Sequence, residues 1–209
     1  MFDHDGVLVD SLTVFTAVFT AACRDHGHPE IATADHVVAL FHDNVYDCMR
    51  AHGMAPDAIA AIIADTAAAL ATAPGLHPFP GVGDLLRGLS PWFDVVVVTS
   101  NESAVVRAFL AREGLADLVH DVLGVEVDGS KVNKIATVMA RYPRQSCCLY
   151  VGDTSGDMLE GAAAGATPIG AGWGWHGPAL LSAAGAAYVA PTPADLLAYV
   201  LEGAPTPSA

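Results

Sequence analysis

Positive charge is scarce in this sequence. Lys and Arg number 9 among 209 residues, against 23 Asp and Glu, for a formal net charge of −14. A chain this acidic is poorly suited to neutralising a nucleic-acid backbone or docking on anionic lipid, so neither partner is expected. An anionic substrate would need a few placed cations, or a metal, to offset the local field. Long apolar runs are missing too. The longest are strand-sized, too short to cross a bilayer. The start, Met1-Phe2-Asp3-His4-Asp5, has neither the basic residues nor the apolar stretch of a signal peptide. Cysteine is sparse: Cys23, Cys48, Cys147 and Cys148. The adjacent pair would face opposite sides of a strand, which argues against a bond between them. All four are expected to be reduced, in a cytoplasmic protein.

Apolar residues are plentiful. They make up 53% of the chain against 15% charged, enough for a sizeable core and unlike a disordered composition. The length suits one α/β domain, or a core with a smaller insert.

Short apolar runs read as strands: the stub around Phe2, Asp94 to Val98, Cys147 to Val151, Thr167 to Ile169, and Ala187 to Val189. Val95 to Val98 do not alternate with polar residues, which fits a parallel strand covered on both faces. Helical segments separate the later runs. Ser103 is read as capping one through Val106, Phe109 and Leu110, ended by Gly114. Ser130 caps another through Ile135 and Met139, and Thr192-Pro193 with Asp195 starts a third. This alternation predicts a doubly wound parallel sheet. The Ala-rich stretch 12–78 has no strand-like run, and Gly/Pro breakers cut it into helical pieces. It is read as an all-helical insert after the first strand, with a core of 1–11 and 79–203 and a flexible tail at 204–209.

Four constellations carry chemistry. Asp3 and Asp5 lie two apart at a strand's end, and in extended chain they point to the same side. Such a pair can divide nucleophile and acid/base duties, with Gly6 allowing a sharp turn after it. His4, between them, should point away from both. Thr99-Ser100-Asn101 follows the valine run, where open α/β sheets bind ligands. Lys131 stands at a helix start, where the dipole disfavours a cation unless an anion faces it. Lys134 competes for the same role one turn later, and Lys131 is preferred because it is nearer the loop end. In Gly152-Asp153-Thr154-Ser155-Gly156-Asp157, two carboxylates can overhang one site if a helix begins near Thr154. Oxygen ligands of this kind suit magnesium.

This ordered set resembles the haloacid dehalogenase (HAD) superfamily along essentially the whole chain. Residues 2–11 match its first motif, Thr99 the second, Lys131 the third and residues 152–157 the fourth. The resemblance implies a Rossmann-like α/β core with a helical cap, as in phosphoglycolate phosphatase and its relatives. It also implies roles. Asp3 would attack phosphorus to give an aspartyl-phosphate, and Asp5 would serve as acid and then base. Mg2+ would sit on Asp3, the Asp5 carbonyl and Asp153, with Asp157 a ligand or orienter. Thr99 and Lys131, with Ser100 and Asn101 beside them, would hold the phosphate of a small phosphorylated metabolite. A dehalogenase and a phosphonoacetaldehyde hydrolase lack the second aspartate, so both are disfavoured. A phosphomutase, or a non-catalytic binding module of the same fold, remain alternatives. Only Met1 and Phe2 precede Asp3, fewer than the resemblance implies, so a native start further upstream is expected.

Weaker signals lie elsewhere. Residues 41–46 could reach the substrate from the cap, and Asn44 is the candidate contact there. His26 and His28 hint at a metal pair but lack further ligands. The loop 172–177 could line the cap interface, with Trp173 and Trp175 expected to pack. A monomer or homodimer is expected.

Overall fold

The structure is a computed structural model that describes residues 1–127, 129–142 and 148–203. Cys147 and the tail at 204–209, both assigned from sequence, lie outside the described residues.

In chain order, β1 (Val9–Asp10) leads into four helices, α1 (Leu12–Asp25), α2 (Ala34–Ala39), α3 (Val45–Ala51) and α4 (Pro56–Thr72). The chain returns through β2 (His77–Pro78), which pairs antiparallel with β1. There follow α5 (Val82–Leu89), β3 (Val96–Val98), α6 (Ser103–Arg112), β4 (Asp121–Leu123) and α7 (Lys131–Arg141). The chain closes with β5 (Leu149–Gly152), α8 (Ser155–Ala163), β6 (Thr167–Ala171), α9 (Pro178–Ala183), β7 (Tyr188–Ala190) and α10 (Pro193–Gly203).

The main sheet is parallel, and the N-terminal stub completes it. Phe2 bridges Val97 on one side and Val151 on the other. Its ladder bonds run from Phe2 N to Val96 O (2.9 Å), Val98 N to Phe2 O (2.9 Å) and Asp3 N to Val151 O (2.9 Å). The order is therefore β4, β3, stub, β5, β6, β7.

Strand alternation explains the unbroken valine run. Val95 and Val97 pack with Leu85 and Leu86 of α5, Val106 and Phe109 of α6, and Leu196 of α10. Val96 and Val98 join Ile135 and Val138 of α7 and Tyr150 on the other face. Helices cover both sides, and burying each such side chain contributes about 1.5–3 kcal/mol. The helices from α1 to α4 have their own core of Phe19, Cys23, Val37, Leu40, Met49, Ile59 and Ile62.

Two local expectations differ. Ser103 does not cap α6; Glu102 holds that position, and the Ser103 hydroxyl donates to Val122 O (3.1 Å) and accepts from Gly124 N (2.8 Å). The insert is also not strand-free, because His77–Pro78 forms β2. Ser130 and Thr192 do accept from the backbone N–H three residues on, at 3.3 and 3.2 Å. No helix among the described residues is long and apolar enough to cross a membrane.

Candidate active site

The carboxyl ends of parallel strands deliver the site. Asp3 follows the stub, Thr99 follows β3 and Asp153 follows β5, while Lys131 opens α7. Asp3 is buried; its Oδ1 accepts from His4 N (2.8 Å) and its Oδ2 from Lys131 Nζ (2.9 Å). Lys131 also donates to Asp157 Oδ1 (2.7 Å).

Asp153 sits in a slot built by glycines. Its Oδ2 accepts from Trp175 N (2.8 Å). A Cβ on Gly6 would lie 1.8 Å from that same oxygen, and one on Gly174 would lie 2.3 Å from Asp153 Cβ. Gly6 also has φ +71°, a left-handed conformation that side chains resist. Both positions need glycine if the turn is to close over the carboxylate.

Asp157 is held on all sides. Thr154 caps α8, and the two residues form a reciprocal capping box. Asp157 Oδ2 accepts from Thr154 N (3.1 Å), Thr154 Oγ1 (2.7 Å) and Asp153 N (3.3 Å), while Oδ1 accepts from Lys131 and from Tyr150 OH (3.0 Å).

Three buried carboxylates thus face one ammonium. Burial raises the Asp3 pKa to about 7; Lys131 opposes that and Asp157 adds to it. Burial, then Asp157, pushes Asp153 well above the carboxylate range. Burial would raise Asp157 too, but Lys131 and the Thr154 bonds outweigh it and lower its pKa. For Lys131, burial disfavours the charge, but Asp157 and Asp3 hold its pKa well above normal. Oxygens of Asp3, Asp153 and Asp157 lie within 4.8 Å of one another. An all-oxygen set short of positive charge fits a hard dication such as Mg2+.

Asp5 lies beside this cluster. Asn101 Nδ2 donates to its Oδ2, and His4 Nδ1 stands 3.6 Å away. Burial works to raise the Asp5 pKa, but His4 and Asn101 outweigh it and lower it. The expectation that His4 points away from both aspartates fails here. The turn at Gly6 ends the extended chain, so alternation no longer separates neighbours. The His4 ring is buried with its edge on Phe109, centroids 5.1 Å apart.

The remaining predicted residues divide. Thr99 is buried, and its Oγ1 accepts from Asn101 N (3.1 Å). Ser100 is exposed. Lys131 reaches Asp3, whereas Lys134 is buried and donates to Thr99 O (2.9 Å). Burial, and then Lys131, lowers the Lys134 pKa. Asn44 caps α3, its Oδ1 accepting from Tyr46 N (3.1 Å). His26 and His28 take separate carboxylates, Asp65 at 2.7 Å and Glu30 at 3.0 Å.

The chain as a whole matches a known set of proteins. A model of the haloacid dehalogenase-like hydrolases matches residues 1–171. The chain belongs to that family. A phosphoglycolate phosphatase of Synechococcus elongatus is 31% identical to this hydrolase over 205 residues, covering 97% of this chain and 96% of the relative. Among solved structures, a predicted phosphatase from Clostridium acetobutylicum superposes with a TM-score of 0.83 at 20% identity, covering 96% of each chain. A haloacid dehalogenase-like hydrolase from Streptococcus pneumoniae gives 0.79 at 23%, covering 95% of this chain and 96% of that one. These two likenesses concern the fold.

Sequence reading passed over two residues at or beside the candidate site. Tyr150 looked like strand core, yet its hydroxyl reaches Asp157. His176 was read only as part of a glycine-rich loop, yet it is buried against Ser155. No spacing rule signals either contact, because both depend on tertiary placement.

Proposed function

We propose that this hydrolase is a Mg2+-dependent phosphatase of small phosphate monoesters, working through an aspartyl-phosphate on Asp3. The observation that carries the reading is the convergence of Asp3, Lys131 and Asp153 at one sheet edge. Asp3 and Asp157 both accept from Lys131, but of the cluster only Asp3 adjoins Asp5 at the turn.

In this reading an Asp3 oxygen attacks phosphorus as the bond to the leaving alcohol breaks. Asp5 gives that alcohol its proton, then takes one from the water that hydrolyses the intermediate, releasing phosphate. Asp5 starts ionised in the free protein, so a bound phosphate must raise its pKa before it can act as an acid. Lys131 and Thr99 hold the transferring oxygens, and Asn101 fixes the Asp5 carboxylate. Mg2+ would be held by Asp3, Asp153 and the Asp5 carbonyl, and would supply charge neutralisation for the phosphoryl group. Both Asp157 oxygens are engaged by other donors, so Asp157 is best read as the residue that orients Lys131 and the start of α8. The helices of 12–78 act as a cap that shields the site. Asn44 serves the α3 terminus before any substrate.

The relative from Synechococcus elongatus is a phosphoglycolate phosphatase, so phosphoglycolate is the first substrate to test, with a sugar phosphate as the next. Phosphate release from a panel of phosphorylated metabolites tests this, with magnesium or with chelator, for wild type and Asp3→Asn. Magnesium-dependent release that Asp3→Asn abolishes supports the reading. Isomerised product without net phosphate would replace it with a mutase.

A further inference from the structure

The first turn of α8 carries the acidic cluster, and its free backbone N–H groups need acceptors. Asp157 N donates to Thr154 Oγ1 at 3.2 Å, within the capping box. The two donors before it are satisfied from elsewhere. Ser155 N donates to His176 Nδ1 (2.9 Å), and Gly156 N donates to Phe41 O (3.4 Å), in the turn after α2.

Because His176 Nδ1 accepts a backbone N–H, its ring proton sits on Nε2. That Nε2–H reaches Val38 O (3.1 Å), at the carboxyl end of α2. The imidazole therefore bridges two parts of the chain that sequence separates by more than a hundred residues. Around it, His42 Nδ1 stands 3.4 Å from Ser155 Oγ, and the Trp175 ring packs against Phe15 (4.9 Å) and Phe41 (5.1 Å). The same segment touches Asp153 through its backbone, with His176 N donating to Asp153 O (3.0 Å) and Trp175 N to Asp153 Oδ2. Gly156 makes the close approach feasible: a Cβ there would stand 3.0 Å from Asp43 O.

We propose that His176 is a positioning residue that fastens residues 38–43, the end of α2 and the turn after it, onto the first turn of α8, beside the carboxylate cluster. The hold on the α2 end rests on Nε2–H, while on the α8 side Nδ1 is backed by the bond from His176 N to Asp153 O. It goes beyond the phosphatase reading and does not depend on it.

The test uses hydrogen–deuterium exchange on metal-free protein without substrate, so failure of the phosphatase reading leaves it intact. His176→Asn keeps an acceptor near Nδ1 and loses the donor to Val38. His176→Gln keeps a donor near Nε2. Amides of residues 36–46 should exchange about tenfold faster in His176→Asn and within about twofold of wild type in His176→Gln. Gly156→Ala leaves His176 in place but crowds Asp43 O, and should speed the same amides severalfold. Should His176→Asn not fold, the imidazole 15N shifts of wild type decide: a ring protonated on Nε2 is expected, and one protonated on Nδ1 overturns the proposal. Unchanged exchange at 36–46 in His176→Asn and Gly156→Ala overturns the proposal. So does His176→Gln exchanging as fast as His176→Asn, or acceleration spread equally over α10.

Discussion

Gly6 is the residue on which the site's geometry turns. Any side chain there would collide with Asp153 Oδ2, and its φ of +71° adds backbone strain. Gly6→Ala is expected to raise the magnesium concentration for half-maximal binding at least about tenfold, read by calorimetry; unchanged binding would mean that the Asp153 slot is unimportant. Lys131 lies between Asp3 and Asp157, so Lys131→Ala removes the sole cation in direct contact with the cluster among the described residues. Its kcat/KM should fall about 100- to 1,000-fold. Lys134→Ala should instead act through the Thr99 carbonyl it supports, with a larger loss of thermal stability than the Lys131 change. Sequence spacing preferred Lys131 as the phosphate ligand, and in the structure Lys131 reaches Asp3 while Lys134 reaches the Thr99 carbonyl. It could not show that Lys134 is buried, because a lysine one turn into a helix is usually solvated.

At the scale of elements, the strands that lead into the candidate site were the legible ones. The valine run and the segment before Asp153 are apolar on both faces, so they stand out. β4 did not, because Asp121-Val122-Leu123 is a three-residue edge strand headed by an acid that pairs with Arg107 and Arg141. β2 is two residues long and includes a proline, which reads as a turn. Ser103 carries a helix-start signal yet bonds to β4, since the hydroxyl has a tertiary alternative. The aspartates, Thr99 and Lys131 were legible because each follows a strand or opens a helix. Tyr150, His176 and the His4–Asp5 contact were not, because packing or a turn decides where they point. The α8 terminus offers an element-scale test. Thr154→Ala deletes half of its capping box and one Asp157 partner. Thermal unfolding of the metal-free protein should show about 1–2 kcal/mol lost; a shift indistinguishable from wild type would show that the cap contributes nothing there.

For the whole molecule, an acidic chain concentrates buried carboxylates where cations are few. Asp3 ionises at about 7 when folded, above the ordinary carboxylate value. A raised acid of this kind contributes stability that is present below its unfolded pKa, near 4, and lost as pH rises through about 7. Metal-free wild type should therefore lose ground to Asp3→Asn between about pH 4 and pH 7, and saturating magnesium should reverse the trend by favouring the charged form. Denaturation midpoints across that range check it; a constant gap between the two proteins would contradict the burial assigned to Asp3.

Covalent chemistry at Asp3 is the central step of the proposed reaction, and it can be observed directly. Wild type and Asp3→Asn would be mixed with a turned-over phosphate monoester and magnesium, quenched in acid during turnover, digested and weighed. One added phosphoryl group on the N-terminal peptide of wild type, absent from Asp3→Asn, is the expected result. Steady phosphate release with no modified peptide at any quench time would contradict it.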